Sequence, residues 1–74
     1  MKYYEAAHGE YLFRIVPDNP DVGAYLHIYR GDEDLYDYLQ DSVKHCMDFA
    51  YRKFGVLPDA WIEAVDVGKR DTNL

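Results

Sequence analysis

Runs of apolar, β-forming residues separated by turn signals fill the first thirty residues, and the spacing of apolar positions then changes period. Lys2–Ala7 is short and aromatic, and His8-Gly9 is a turn signal. Tyr11–Val16 is dense in β-formers and ends at the breaker cluster Pro17-Asp18-Asn19-Pro20-Asp21. In Val22–Arg30, Ala24, Leu26 and Ile28 point one way and Tyr25, His27 and Tyr29 the other, and Gly31 closes the run. These three segments predict an antiparallel meander. From Leu35 the spacing lengthens. Leu35, Leu39, Val43, Cys46, Ala50 and Phe54 recur every three or four residues, the period of one helical face. Asp32, Glu33 and Asp34 stand where carboxylates cap backbone N–H groups and meet the positive end of a helix dipole. Arg52 and Lys53 fall in the last turn, and Gly55 follows as the left-handed C-terminal residue. The pattern predicts a helix over about 33–54. Pro58 prevents it from resuming, and Trp61–Val67 reads as a fourth strand, with a short helical turn as the alternative. Residues 68–74 are polar and expected to fray.

Assembled, residues 1–67 make a single α+β domain. It has two layers, a three- to four-stranded antiparallel β-meander with one long helix packed on one face. One helix covers one face only. Tyr25, His27 and Tyr29 then lie on the uncovered side, extended by Tyr4 and Arg14 or their register neighbours. Tyrosine suits interfaces because it buries much area while keeping a polar tip. The plainer reading is a set of cross-strand pairs that stabilises a small meander, and the two are compatible.

Composition narrows the function classes. Seventy-four residues form one domain, which buries about 60% of the surface of its unfolded chain. With 49% hydrophobic and 16% aromatic residues, intrinsic disorder is excluded. Fourteen acidic against eight basic side chains, a formal charge of −6, disfavour direct nucleic-acid binding, which needs clustered Lys and Arg. The single cysteine, Cys46, allows no intramolecular disulfide and fits a reducing compartment. Met1-Lys2-Tyr3-Tyr4-Glu5 has no signal-peptide pattern, and no run approaches 18 apolar residues. A cytoplasmic protein without membrane contact is the expectation.

Catalytic constellations find little support. Ser42 is the one serine and Thr72 the one threonine, and no Gly-x-Ser-x-Gly elbow presents a hydroxyl. Cys46 falls in the apolar stripe, and His45 points about 100° away around a helix, so a buried core thiol is expected. Asp41 and His45 at i, i+4, with Asp48 three further on, have a spacing that can hold two metal ligands, but it equally describes a surface carboxylate–imidazole pair. No Cys-x-x-Cys, His-Glu-x-x-His, Walker or Gly-x-Gly-x-x-Gly pattern is present. A non-enzymatic chain without metal or cofactor is expected.

The charge is concentrated. Residues 31–48 hold Asp32, Glu33, Asp34, Asp37, Asp41 and Asp48 against Lys44 alone, a net of −5 that leaves −1 for the rest. On a helix over 33–54, Asp37, Asp41 and Asp48 form an outward acidic stripe with Tyr36, Tyr38 and Tyr51 nearby. A solvated helix face explains part of this, but Asp37, Asp41 and Asp48 lack compensating lysines. A focused negative field speeds encounter with a basic partner. One typical interface takes about 800 Å² from each side, about a sixth of the roughly 4,700 Å² surface of such a globule. Binding can therefore be the whole function. The expected contacts are Tyr36, Asp37, Asp41, Asp48 and Tyr51 on the helix, with Tyr25 and Tyr29 on the sheet.

Asp37-Tyr38-Leu39-Gln40-Asp41-Ser42, then Cys46, Ala50, Phe54-Gly55-Val56 and Trp61, with Tyr3-Tyr4-Glu5 and His8-Gly9-Glu10-Tyr11-Leu12, resemble small bacterial immunity-type proteins of polymorphic-toxin systems. The resemblance spans some 55 residues. It implies a cytoplasmic antidote that occludes a toxin domain, often a basic nuclease, with no catalytic residue to carry over. Phage-encoded inhibitors such as anti-CRISPR proteins share the small, acidic, binding-only profile. A self-associating accessory homodimer, joined through the Tyr25/His27/Tyr29 face or an edge strand, is the third reading.

Overall fold

The computed structural model describes residues 2–65. Its elements are β1 (Lys2–His8), β2 (Tyr11–Pro17), β3 (Ala24–Arg30), β4 (Glu33–Gln40), α1 (Val43–Phe54), a 3₁₀ turn (Pro58–Ala60) and β5 (Ile62–Val65). All strand pairs are antiparallel, in the order β4-β3-β2-β1-β5. The expected α+β architecture holds, with five strands instead of three or four. Within the segment expected at Trp61–Val67 the strand is found, as β5, and the 3₁₀ turn at Pro58–Ala60 precedes that segment. The last two residues of the expected strand 61–67 and the expected frayed tail 68–74 lie outside the described residues.

The expected long helix is two elements. Its first third is strand β4, and α1 begins only at Val43. The two-residue loop Gly31-Asp32 folds the chain back beside β3, so that Tyr38 pairs with Leu26 and Tyr36 with Ile28. A four-residue spacing is even, so Leu35 and Leu39 satisfy the alternation of a strand as well as the turn of a helix. Two β-favouring tyrosines and the unpaired outer edge of β3 decide the matter for the sheet. The carboxylates of 32–34 therefore cap no helix. That role belongs to Ser42, whose Oγ accepts the His45 backbone N–H at 3.2 Å. At the other end Gly55 takes φ 83°, as expected, and its N–H donates to the Tyr51 carbonyl.

The helix lies on the side of the sheet that carries Ala6, Phe13, Ile15, Ala24, Leu26 and Ile28, which with Cys46, Ala50 and Val56 form the buried core. Aromatic rings continue it: Tyr38 meets Phe49 at 4.7 Å between centroids, and Phe13 meets Phe54 at 5.3 Å. No described helix is long and apolar enough to cross a membrane.

Candidate interaction surface

The sheet face turned away from α1 has no covering layer among the described residues. Its central row runs across all five strands, Asp37, His27, Arg14, Glu5 and Ile62, each opposite the next in register. On one side of this row Leu39 pairs with Tyr25 and Tyr25 with Val16; on the other Asp34 pairs with Tyr29 and Tyr29 with Leu12. Tyr25, His27 and Tyr29 form a ladder with ring centroids 6.3 and 6.0 Å apart and planes within 28° of parallel. These are the residues whose alternation placed them on the uncovered side.

Arg14 organises the middle of this face. Its Nε and one terminal nitrogen both donate to Glu5 Oε2 at 2.6 Å. Its guanidinium lies 5.2 Å from the Tyr3 ring centroid and 5.3 Å from that of Tyr29. Partial burial opposes the charged form, but the hydrogen bond and charge of Glu5 outweigh it and raise the Arg14 pKa above its ordinary value. The only cation in the central row is thus internally neutralised. Tyr4 is not part of this surface: it pairs with Ile15 on the helix side, and its neighbour Tyr3 takes the outward place. His27 Nδ1 is buried without a hydrogen-bond partner, and Asp34 Oδ2 stands 3.9 Å away, too far to bond it.

The negative charge is redistributed by the fold. Asp32, Glu33, Asp34, Asp37 and Asp41 fall within β4 and its flanking turns, and residues 31–42 contain no Lys or Arg. The helix α1 carries Lys44, Arg52 and Lys53 against Asp48 and is net basic. Acid therefore lines one edge of the sheet, and the helix has the opposite sign.

This separates the expected contact residues. Tyr25, Tyr29 and Asp37 share the open face. Tyr36 is half-exposed on β4 but on the helix side, Asp41 sits in the bend before α1, and Asp48 and Tyr51 are exposed on α1. The acidic stripe Asp37/Asp41/Asp48 does not exist as one helical face, because only Asp48 is on the helix. Tyr3, Asp34 and Leu39 join the surface instead. The pairing of β4 with β3 puts Asp34 and Leu39 there, and no periodicity within 33–40 announces that pairing.

A cleft of about 310 Å³ opens on the helix side, lined by Phe13, Ile28, Leu35, Tyr36 and Phe54, with Tyr11 and Arg30 beside them. A β-bulge creates one wall. Ile28 faces Tyr36 and Tyr29 faces Asp34, leaving Leu35 as the extra residue of β4. Leu35 and Tyr36, consecutive in sequence, consequently both line the cleft.

Cys46 is fully buried, and its Sγ lies 3.6 Å from the Ala24 carbonyl. Burial pushes its thiol from 9.0 up to about 11, the opposite of what a thiolate nucleophile needs. A raised pKa in the folded state contributes stability in full below pH 9 and loses it as the pH climbs toward 11, where the unfolded thiol has already ionised. The stability advantage of the native chain over Cys46→Ala is expected to shrink across that window in urea titrations. A thiol reagent is expected to leave native Cys46 unmodified until the chain unfolds. At the start of α1, His45 Nδ1 is engaged by Ser42 Oγ at 2.7 Å, and Asp41 precedes the helix, so the expected i, i+4 Asp41–His45 pair is not a helical one. Among the described residues no three His, Cys, Asp or Glu side chains converge as metal ligands.

No family model, curated protein or solved structure matches the chain.

Proposed function

We propose that this chain is a non-enzymatic binding protein that masks a basic surface of a protein partner with its open sheet face and the acidic β4 edge. The observation that carries this reading is the juxtaposition on one surface of the Tyr25–His27–Tyr29 ladder with Asp34 and Asp37, next to an Arg14 already satisfied by Glu5. Tyrosines supply contact area, and Asp34 and Asp37, which have no Lys or Arg partner among the described residues, supply charge complementarity. An inhibitor of the immunity type, occluding the basic surface of a toxin, is the form of this function that the resemblance suggests.

Capture of the partner from the native host, followed by kinetics on the pair, tests the proposal. Asp34→Lys with Asp37→Lys is expected to slow association about tenfold at low salt and to flatten its salt dependence. Tyr29→Ala is expected to act mainly on dissociation. Asp48→Lys, on the helix, is expected to leave both rates unchanged. If Asp48→Lys slows association and the β4 double variant does not, the contact surface is the helix. Sedimentation at micromolar concentration is expected to give a monomer; a stable dimer burying Tyr25 and Tyr29 would withdraw this face from any partner.

A further inference from the structure

We infer that β4 takes up an extended strand of the partner as a sixth strand of the sheet, with an aromatic side chain of that strand in the cleft beside Tyr36 and basic side chains flanking it beside Asp37 and Asp34. The inference rests on the partner being basic, and adds how it is held and what sequence it presents.

β4 is the outer strand of the sheet and runs for eight residues. Alternate residues of an outer strand turn their N–H and C=O groups away from the sheet, a template for another chain. Which chain can use it is set by charge. Two copies of β4 paired together would set Glu33, Asp34 and Asp37 of one against the same carboxylates of the other, and like charges across a pair destabilise it. A strand bearing Lys or Arg meets opposite charge instead. The acids that prevent self-pairing thus select a basic strand.

The cleft adds a side-chain requirement. A residue added opposite Tyr36 projects to the helix side, next to the wall that Leu35 and Tyr36 provide. Its 310 Å³ exceeds the roughly 150 Å³ that accommodates benzene in a protein interior, so a whole aromatic ring fits. Phe54, only partly buried, offers a ring to the guest, and Arg30, which also lines the cleft, has its guanidinium 3.8 Å from Glu33. Strand alternation then sends the two residues flanking that ring to the open face, where Asp37 and Asp34 stand. The recognised pattern is therefore basic–aromatic–basic within an extended segment.

The test uses the full chain, labelled with ¹⁵N, and the capped peptide Thr-Lys-Phe-Lys-Val-Lys-Thr. Amide shifts are expected to move along Glu33–Gln40 and around the cleft at Leu35 and Phe54. Changing the peptide's Phe to Ala is expected to weaken binding at least tenfold, and exchanging its lysines for glutamates to abolish it. N-methylation of alternate peptide amides, which removes the ladder donors while keeping charge and side chains, is expected to abolish binding when the methylated face is the one turned to β4. Equal binding by both alternately methylated peptides, or no shift at millimolar peptide, overturns strand addition. Shifts confined to Tyr25 and Tyr29, with β4 amides unmoved, also overturn it while leaving the basic-partner reading in place. Every substitution is in the peptide, so folding of the chain is not in question.

Discussion

Gly23→Ala is expected to cost on the order of 4 kcal/mol and to leave much of the chain unfolded. Gly23 ends the loop from β2 and precedes β3, with its N–H donating to the Asn19 carbonyl. Its φ of 114° is a conformation that side-chain-bearing residues rarely adopt. A Cβ there would also fall 2.1 Å from the carbonyl oxygen of Gln40, the last residue of β4. That obstacle is backbone, so relief requires the β2–β3 loop and the end of β4 to separate. Total stability for 74 residues is roughly 4–11 kcal/mol, so the loss is a large fraction of it. Urea unfolding followed by circular dichroism measures it. Gly31→Ala is the control: its φ is 62°, but nothing lies within 4 Å of the added carbon, and a cost of about 1–2 kcal/mol is expected from conformation alone. Equal costs at the two positions would show that the contact with Gln40 relaxes freely.

Phe13→Ala is expected to lose about 4 kcal/mol. The side chain is 1% exposed on the central strand, with its ring against Phe54 and its edge near His8. Truncation removes a ring from the core and enlarges the adjoining cleft, since Phe13 forms part of that wall. The cost comes from lost apolar burial and from the void that rigid β2 and β3 cannot close. Phe13→Leu keeps most of the volume and is expected to cost under about 1.5 kcal/mol. The two variants compared at unchanged urea m-value separate cavity formation from a change in the unfolded state. A Phe13→Ala loss below about 1 kcal/mol would mean that Phe54 collapses into the space.

Strand β3 was readable because its apolar residues keep one parity, and β1 and β2 because β-forming residues are dense in them and a Gly or Pro ends each. Ala24, Leu26 and Ile28 are buried while Tyr25, His27 and Tyr29 face outward, as the alternation requires. Residues 33–40 were not readable in that way. Leu35 and Leu39 fit both periods, and the carboxylates before them look like helix caps. Two local signals opposed that reading. Gly31-Asp32 is a two-residue hairpin loop, and Ser42 introduces its own helical stripe of Val43, Cys46, Met47, Ala50 and Phe54. The error moved the candidate site. A helix would have joined Asp37 to Asp48, whereas the strand joins it to His27 and Tyr29.

The amino-acid sequence by itself determined the α+β class, the burial of Cys46, the outward tyrosine ladder of β3 and the confinement of acid to one segment. Each of these depends on local period or on counting, which neighbours along the chain carry in full. Tertiary structure alone decided that 33–40 pairs with β3, that Arg14 is neutralised by Glu5 across two strands, and that a bulge at Leu35 opens a cleft beside an acidic edge. Those features join residues distant in sequence. Their energies arise from strand register and from the unpaired edge of β3, which exist only once the sheet has formed.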